Sequence, residues 1–230
     1  VRADYTFQTL AVSSTNQLAY VSATTVAKKI GHAYNPLFIY GPVGVGKTHL
    51  MQAIANEVYK NDPDKKIIYI TSEEFTNEVV EAIRSNDTAR MKKKFRNIDL
   101  LIVDDVQFFA GKEKTQDVFF HVFNHLHQMN KQLVLTSDKP PVEMQGLEQR
   151  LLSRFKWGLS ADLQTPDLET RIAILEKKTY NEGETFLYLG DFFEDEVDDA
   201  TRNIATIIEP VMLLVIGTIV AFVALAIISP

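Results

Sequence analysis

A lysine and a threonine that close a glycine-rich run are the residues of this chain best placed for chemistry. Gly41-Pro42-Val43-Gly44-Val45-Gly46-Lys47-Thr48 fits the pattern G-x-x-x-x-G-K-[ST]. The run stands between an apolar stretch that reads as a strand, Leu37–Tyr40, and one that reads as a helix from Thr48 to about Lys60, which is the context this pattern requires. Glycines let backbone N–H groups curve around phosphate oxygens, and the helix N-terminus adds its positive dipole. Lys47 supplies a charge for β- and γ-phosphates, and the Thr48 hydroxyl is a ligand for Mg2+. A ligand-free Gly-rich turn is the competing reading, and the strand–turn–helix context weighs against it.

Carboxylates complete the set. Leu100-Leu101-Ile102-Val103-Asp104-Asp105 is an apolar strand ending in two acids. Asp104 suits a magnesium held through water, and Asp105 suits orienting or deprotonating an attacking water. Asp138 follows another apolar strand, where it either senses a γ-phosphate or forms a turn; spacing does not separate the two. His121 and His125 lie one helical turn apart without a following Glu, so an ordinary helix is the better reading, with Phe119, Phe120 and Phe123 as core. Arg90, Lys92, Lys93, Lys94 and Arg96 form a basic run that reads as a solvated helix face. The chain has no cysteine, which excludes disulfides, Cys-based zinc sites and a cysteine nucleophile.

These residues need a scaffold. Leu37–Tyr40, Lys66–Thr71, Leu100–Asp104 and Gln132–Thr136 read as buried strands, with a weaker fifth near Trp157–Ser160, each alternating with helical stretches. The alternation predicts a parallel sheet flanked by helices. Ser72 should open a helix with Glu73 and Glu74 in its first turn, Pro140-Pro141 should turn the chain, and Pro166 should open a helix through Lys178. Of the 230 residues, 1–180 carry a net charge of +2 and 181–230 one of −8, so the overall −6 does not argue against nucleic-acid binding by the first part. From Val211 to Ile228 no residue is charged. As a helix that run would be about 27 Å long, close to the roughly 30 Å of a bilayer core. The first residues hold no apolar segment of the kind a signal peptide requires.

In this order the motifs resemble the AAA+ ATPases. The likeness narrows at Tyr5-Thr6-Phe7, Tyr34 to Gly41, Asp104 to Phe108, Leu135 to Asp138 and Arg150 to Leu159. Together these segments resemble the ATPase domain of the DnaA family of bacterial chromosomal replication initiators, over about residues 1–178. The resemblance implies ATP and Mg2+ as cofactors, head-to-tail self-association and binding of single-stranded origin DNA. It matches Gly41, Gly44, Val45, Gly46, Lys47 and Thr48 to the Walker A loop, and Asp104 and Asp105 to Walker B. Asp138 matches the first sensor. Arg154 matches the arginine finger that reaches a neighbouring subunit's ATP, with Arg150 in the same motif; without the family, a surface salt bridge would be the better reading of Arg154. Val80, Lys112 and Lys114 match the single-strand contacts.

What the resemblance would place after Lys178, a helical lid with a second sensor arginine and then a helix-turn-helix domain, has no counterpart in this sequence. Residues 179–190 read as a junction, 191–209 as an acidic amphipathic helix and 210–229 as one transmembrane helix. From about residue 187, the acidic segment, Glu209-Pro210 and the apolar run resemble the C-terminal end of the PilC/GspF family, the inner-membrane platform of type IV pilus and type II secretion machines. That resemblance implies an ATPase domain in the cytoplasm tethered to the inner membrane, or, as an alternative function, a non-enzymatic membrane assembly component. The chain reads as a fusion of two parts: real, misjoined or decayed, with a misjoin favoured because the join falls inside the ATPase module.

Overall fold

The apolar runs become strands because their side chains alternate between two covered faces. In the computed structural model, which describes residues 2–165 with Arg171, Ile172 and Ile174, five parallel strands form one sheet. They are β1 (Leu37–Tyr40), β2 (Ile67–Thr71), β3 (Leu100–Asp104), β4 (Gln132–Ser137) and β5 (Leu159–Asp162), in the order β2-β3-β4-β1-β5. Four strands lie within one residue of the expected bounds. The fifth starts two residues late, because Trp157 and Gly158 stay in the turn: an added Cβ on Gly158 would meet the Pro36 carbonyl oxygen at 1.8 Å.

Helices cover both faces. Leu37, Ile39, Leu100, Ile102 and Val134 pack with α1 (Gln17–Lys28) and α2 (Lys47–Asn61). Phe38, Leu101, Val103, Leu133 and Leu135 pack with α3 (Ser72–Arg84), α4 (Thr88–Arg96), α5 (Glu113–Gln128) and α6 (Gln149–Phe155). On the second face Phe75 and Phe119 meet edge to face at 5.4 Å, and Phe109 lies 4.9 Å from Phe119. Each such buried ring contributes roughly 1.5–3 kcal/mol by leaving water. Phe120 packs against this core half-buried, and the guanidinium groups of Arg150 and Arg154 lie over its ring.

Helix starts follow local chemistry. Thr71 caps α3 in a capping box with Glu74, and Glu73 shares the first turn. Pro141 opens a short 3-10 turn, Pro141–Glu143, where Pro140-Pro141 predicted a turn. The basic run falls on α4; Lys94 pairs with Glu78 of α3, while Lys93 and Arg96 are exposed.

The chain divides into two compact units, Val1–Ile174 and Leu175–Pro230, and the fold described is that of the first. The expected junction, acidic helix and transmembrane helix, and nearly all of the helix expected from Pro166, lie outside the described residues. Among those described, no helix is long and apolar enough to cross a membrane.

Candidate nucleotide site

Three strands end at one place. β1, β3 and β4 are neighbours, and the loops at their carboxyl ends carry the glycine-rich run, Asp104-Asp105 and Asp138, where open α/β sheets bind ligands. The Gly41 amide donates to the Ser137 carbonyl at 3.2 Å, which ties the loop to β4. Gly44 and Gly46 have φ of 84° and 97°, left-handed values that a side chain resists. Gly46 then caps α2, so the loop's amides run directly into a helix N-terminus. Val45 is partly buried against the α2 side of the core.

Lys47 sits under this loop. Its ammonium is buried and donates to the carbonyl oxygens of Gly41 at 2.6 Å and Pro42 at 2.8 Å, and to Asp138 Oδ1 at 2.8 Å. Asp138 is therefore more than a turn former: its carboxylate pairs with the lysine of the loop.

Asp104 is held from three sides. Thr136 Oγ1 donates to Oδ1 at 2.5 Å, while Tyr69 Oη and Thr48 Oγ1 donate to Oδ2 at 2.8 and 3.3 Å. Burial, together with the bond to Asp104, holds the Tyr69 phenol protonated well above its ordinary range. The Thr48 hydroxyl and the Asp104 carboxylate are hard oxygen donors side by side, a set that fits Mg2+ better than a soft metal.

Asp105 sits in a left-handed conformation, φ 58° and ψ 51°, and starts a 3-10 turn, Val106–Phe109. Its backbone N–H donates to Thr136 Oγ1 at 2.9 Å, and its carbonyl accepts from Ser72 Oγ at 2.7 Å. Gln107 Nε2 donates to Asp105 Oδ1 and to Asp138 Oδ2, both at 3.1 Å. Burial pushes the Asp105 carboxyl above its ordinary value; the Gln107 bond opposes this, and the charges of Asp104 and Asp138 add to it.

The structure thus brings together Gly41 to Thr48, Asp104, Asp105 and Asp138. Tyr69, Thr136 and Gln107 join them without having been singled out from sequence. Gln107 carried one signal, its position two residues after Asp105 in the quoted Asp104–Phe108 segment.

Other expected residues lie elsewhere. Arg154 is on α6; its Nε donates to Asn124 Oδ1 at 2.9 Å, and its guanidinium lies 3.9 Å from the centre of the Trp157 ring. Among the described residues it makes no ion pair. Arg150 does make them, with Glu148 and Asp117. Val80 is exposed on α3, Lys112 is the half-buried N-cap of α5, and Lys114 is exposed in that helix's first turn. His121 and His125 lie on α5, and among the described residues no cluster of three or more His or acidic side chains is arranged to hold a metal.

Comparison with known proteins gives two family matches. The model described as "Bacterial DnaA ATPAse domain" matches residues 1–162. That of the type II secretion system protein F matches residues 147–230, starting well before the expected 187 and overlapping the first match across all of α6 and β5. Among solved structures, domain III of the Thermotoga maritima replication initiation protein DnaA is 46% identical with a TM-score of 0.77, covering 80% of this chain and 76% of that one. A replication initiator DnaA bound to AMPPCP and single-stranded DNA is 38% identical with a TM-score of 0.74, covering 78% and 56%. AMPPCP-bound DnaA from Aquifex aeolicus is 38% identical with a TM-score of 0.74, covering 78% and 55%, so the chain spans little more than half of these longer proteins. With 162 of its 230 residues matched and a five-stranded parallel sheet in the same fold, this chain belongs to the bacterial DnaA ATPase-domain family.

Proposed function

We propose that the chain binds Mg-ATP in the Gly41–Thr48 loop and hydrolyses it, as an initiator-like ATPase that assembles on ATP and engages single-stranded origin DNA. The observation that carries this reading is the buried Lys47 ammonium, held at the base of a left-handed glycine loop within 2.8 Å of Asp138. The 38%-identical initiator bound to AMPPCP and single-stranded DNA supports it.

In this reading the amides of Gly41, Gly44, Val45 and Gly46 and the Lys47 ammonium hold the phosphates. Thr48 and Asp104 would hold Mg2+, which would supply positive charge against the phosphates. A water oxygen bonds to the γ-phosphorus while the bond to the β,γ-bridging oxygen breaks and its electron pair leaves with ADP. The water's proton passes to the Asp105 carboxylate, which acts as the general base. Asp138 registers the γ-phosphate through Lys47. Arg154 reaches the ATP of the next subunit, its planar charged fork suiting phosphate oxygens. Val80, Lys112 and Lys114 contact the DNA strand, with Lys112 and Lys114 on its phosphates.

Equilibrium binding of radiolabelled ATP to the full chain, with and without Mg2+, tests this. Wild-type protein should bind, and Lys47→Ala should weaken binding by at least about 100-fold, the scale of a lost buried charge contact. Undetectable binding, or binding indifferent to Lys47→Ala, contradicts the reading.

A second reading rests on the protein F match over residues 147–230: attachment to the inner membrane through residues 210–229, with the ATPase domain in the cytoplasm, or service as a non-enzymatic assembly component of a pilus or secretion system. Mass spectrometry of source-cell membranes for a peptide crossing residues 178–191 decides whether the two parts share one polypeptide. Finding that peptide makes the tethered ATPase real. Separate peptides from two intact proteins make the join a misjoin.

A further inference from the structure

Gln107 connects the two halves of the candidate site. It lies on the 3-10 turn after Asp105, whose flanking residues Val106 and Phe109 are fully buried and fix the turn against the core. One nitrogen of its side chain bridges two carboxylates, Asp105 Oδ1 and Asp138 Oδ2, each at 3.1 Å. Two acceptors there require the amide NH2 in that position, since an amide oxygen would repel both. The consequence is visible at the other end of the group: Gln107 Oε1 is buried and meets no hydrogen-bond donor among the described residues. A buried orphan acceptor is a cost, and it persists here because the same amide serves two charged partners.

The connection runs further. The second oxygen of Asp138 accepts from Lys47 at 2.8 Å, so Lys47, Asp138, Gln107 and Asp105 form one continuous line of charge-assisted bonds. When an anion draws Lys47 away, Gln107 becomes the remaining donor to Asp138 among the described residues. Any shift of that carboxylate is then felt by the amide that also holds Asp105.

We propose that Gln107 is a positioning residue for hydrolysis: its amide nitrogen holds the Asp105 carboxylate where it takes the attacking water's proton, and couples that placement to whether Lys47 is bound to Asp138 or to phosphate. This rests on the ATPase reading above and adds a residue to it. Gln107 touches neither the phosphates nor the water in this scheme and acts through Asp105. Its loss therefore separates rate from affinity, which a merely structural role would not do.

The test is single-turnover hydrolysis of γ-labelled ATP by the full chain preloaded with Mg-ATP, beside equilibrium ATP binding. Gln107→Leu, which keeps the bulk and removes the donor, should slow hydrolysis by about 100-fold, within the range that general-base catalysis contributes. Its ATP dissociation constant should stay within about threefold of wild type. Gln107→Asn, an amide on a shorter stem, should lose less rate; it carries the test if circular dichroism shows Gln107→Leu to be unfolded. Hydrolysis unchanged in both variants, or rate and affinity falling together, overturns the proposal. Wild-type protein that binds Mg-ATP and never hydrolyses it overturns the role of Gln107 while leaving nucleotide binding intact. Wild-type protein that does not bind ATP overturns both.

Discussion

Lys47 directs all three of its ammonium hydrogens to acceptors in the site: two carbonyls of its own loop and Asp138. A buried ammonium needs such pairing, since desolvation of an unpaired charge costs several kcal/mol. The same reasoning applies to Asp104, whose two oxygens accept from Thr136, Tyr69 and Thr48. Tyr69→Phe removes one of these donors together with the hydroxyl's bond from Gln52, so it should destabilise the fold by about 1–2 kcal/mol, the worth of a hydrogen bond to a charged group at a half-buried site. Urea unfolding of the variant measures this, and a change below about 0.5 kcal/mol would mean that Asp104 does not depend on the phenol. Lys47, Asp104 and Asp105 were legible in the sequence because an acid pair at a strand end gains meaning beside a glycine loop; Asp138, with a turn former equally open, was only half so. Tyr69 and Thr136 were not. They are ordinary strand residues, 35 and 32 positions from Asp104, and meet it only through strand pairing that no local pattern encodes.

At the scale of elements, the glycine loop shows two different needs for the same residue type. An added Cβ on Gly41 would stand 2.0 Å from the Leu163 carbonyl oxygen, next to the Leu163 N–H that donates to the Tyr40 carbonyl at 2.7 Å. Gly44 has open space where a Cβ would go and only its left-handed φ of 84° to protect. Gly41→Ala should therefore push β5 from β1 and cost about 3 kcal/mol of stability, as overpacking does. Gly44→Ala should cost about 1–2 kcal/mol through conformation alone and remain folded, with ATP binding weakened up to about tenfold. Thermal unfolding of the two variants checks the order, and a larger loss in Gly44→Ala would contradict it. The sheet itself was legible because each strand is a short apolar run bounded by turn residues. The late start of β5 was not, because it depends on Gly158 passing close to Pro36, a contact between segments far apart in sequence.

At the scale of the whole molecule, the residues expected to act between molecules stand apart from the nucleotide loop. Arg154 rests on the Trp157 face and hydrogen-bonds Asn124, and among the described residues no acceptor meets its terminal nitrogens. A guanidinium parked on an aromatic ring is held ready without being consumed by an ion pair. If it serves a second copy, Arg154→Ala should abolish Mg-ATP-dependent assembly in sedimentation while leaving ATP affinity within about threefold. Trp157 is the chain's single tryptophan, so its emission should shift on assembly of the wild type and not of the variant. Assembly that survives Arg154→Ala would return the residue to a packing role. Along the chain only the family resemblance marked Arg154, because an arginine facing another molecule and one facing solvent otherwise look the same.

The proposed chemistry depends on placement of the nucleotide in the Gly41–Thr48 loop. A structure of the full chain with Mg2+ and AMPPCP measures that directly. It should place the phosphates in the Gly41–Thr48 loop, with the Lys47 ammonium moved from Asp138 to the γ-phosphate and the metal between Thr48 and Asp104. Nucleotide bound elsewhere, or a Lys47–Asp138 pair left intact beside a bound γ-phosphate, would contradict it.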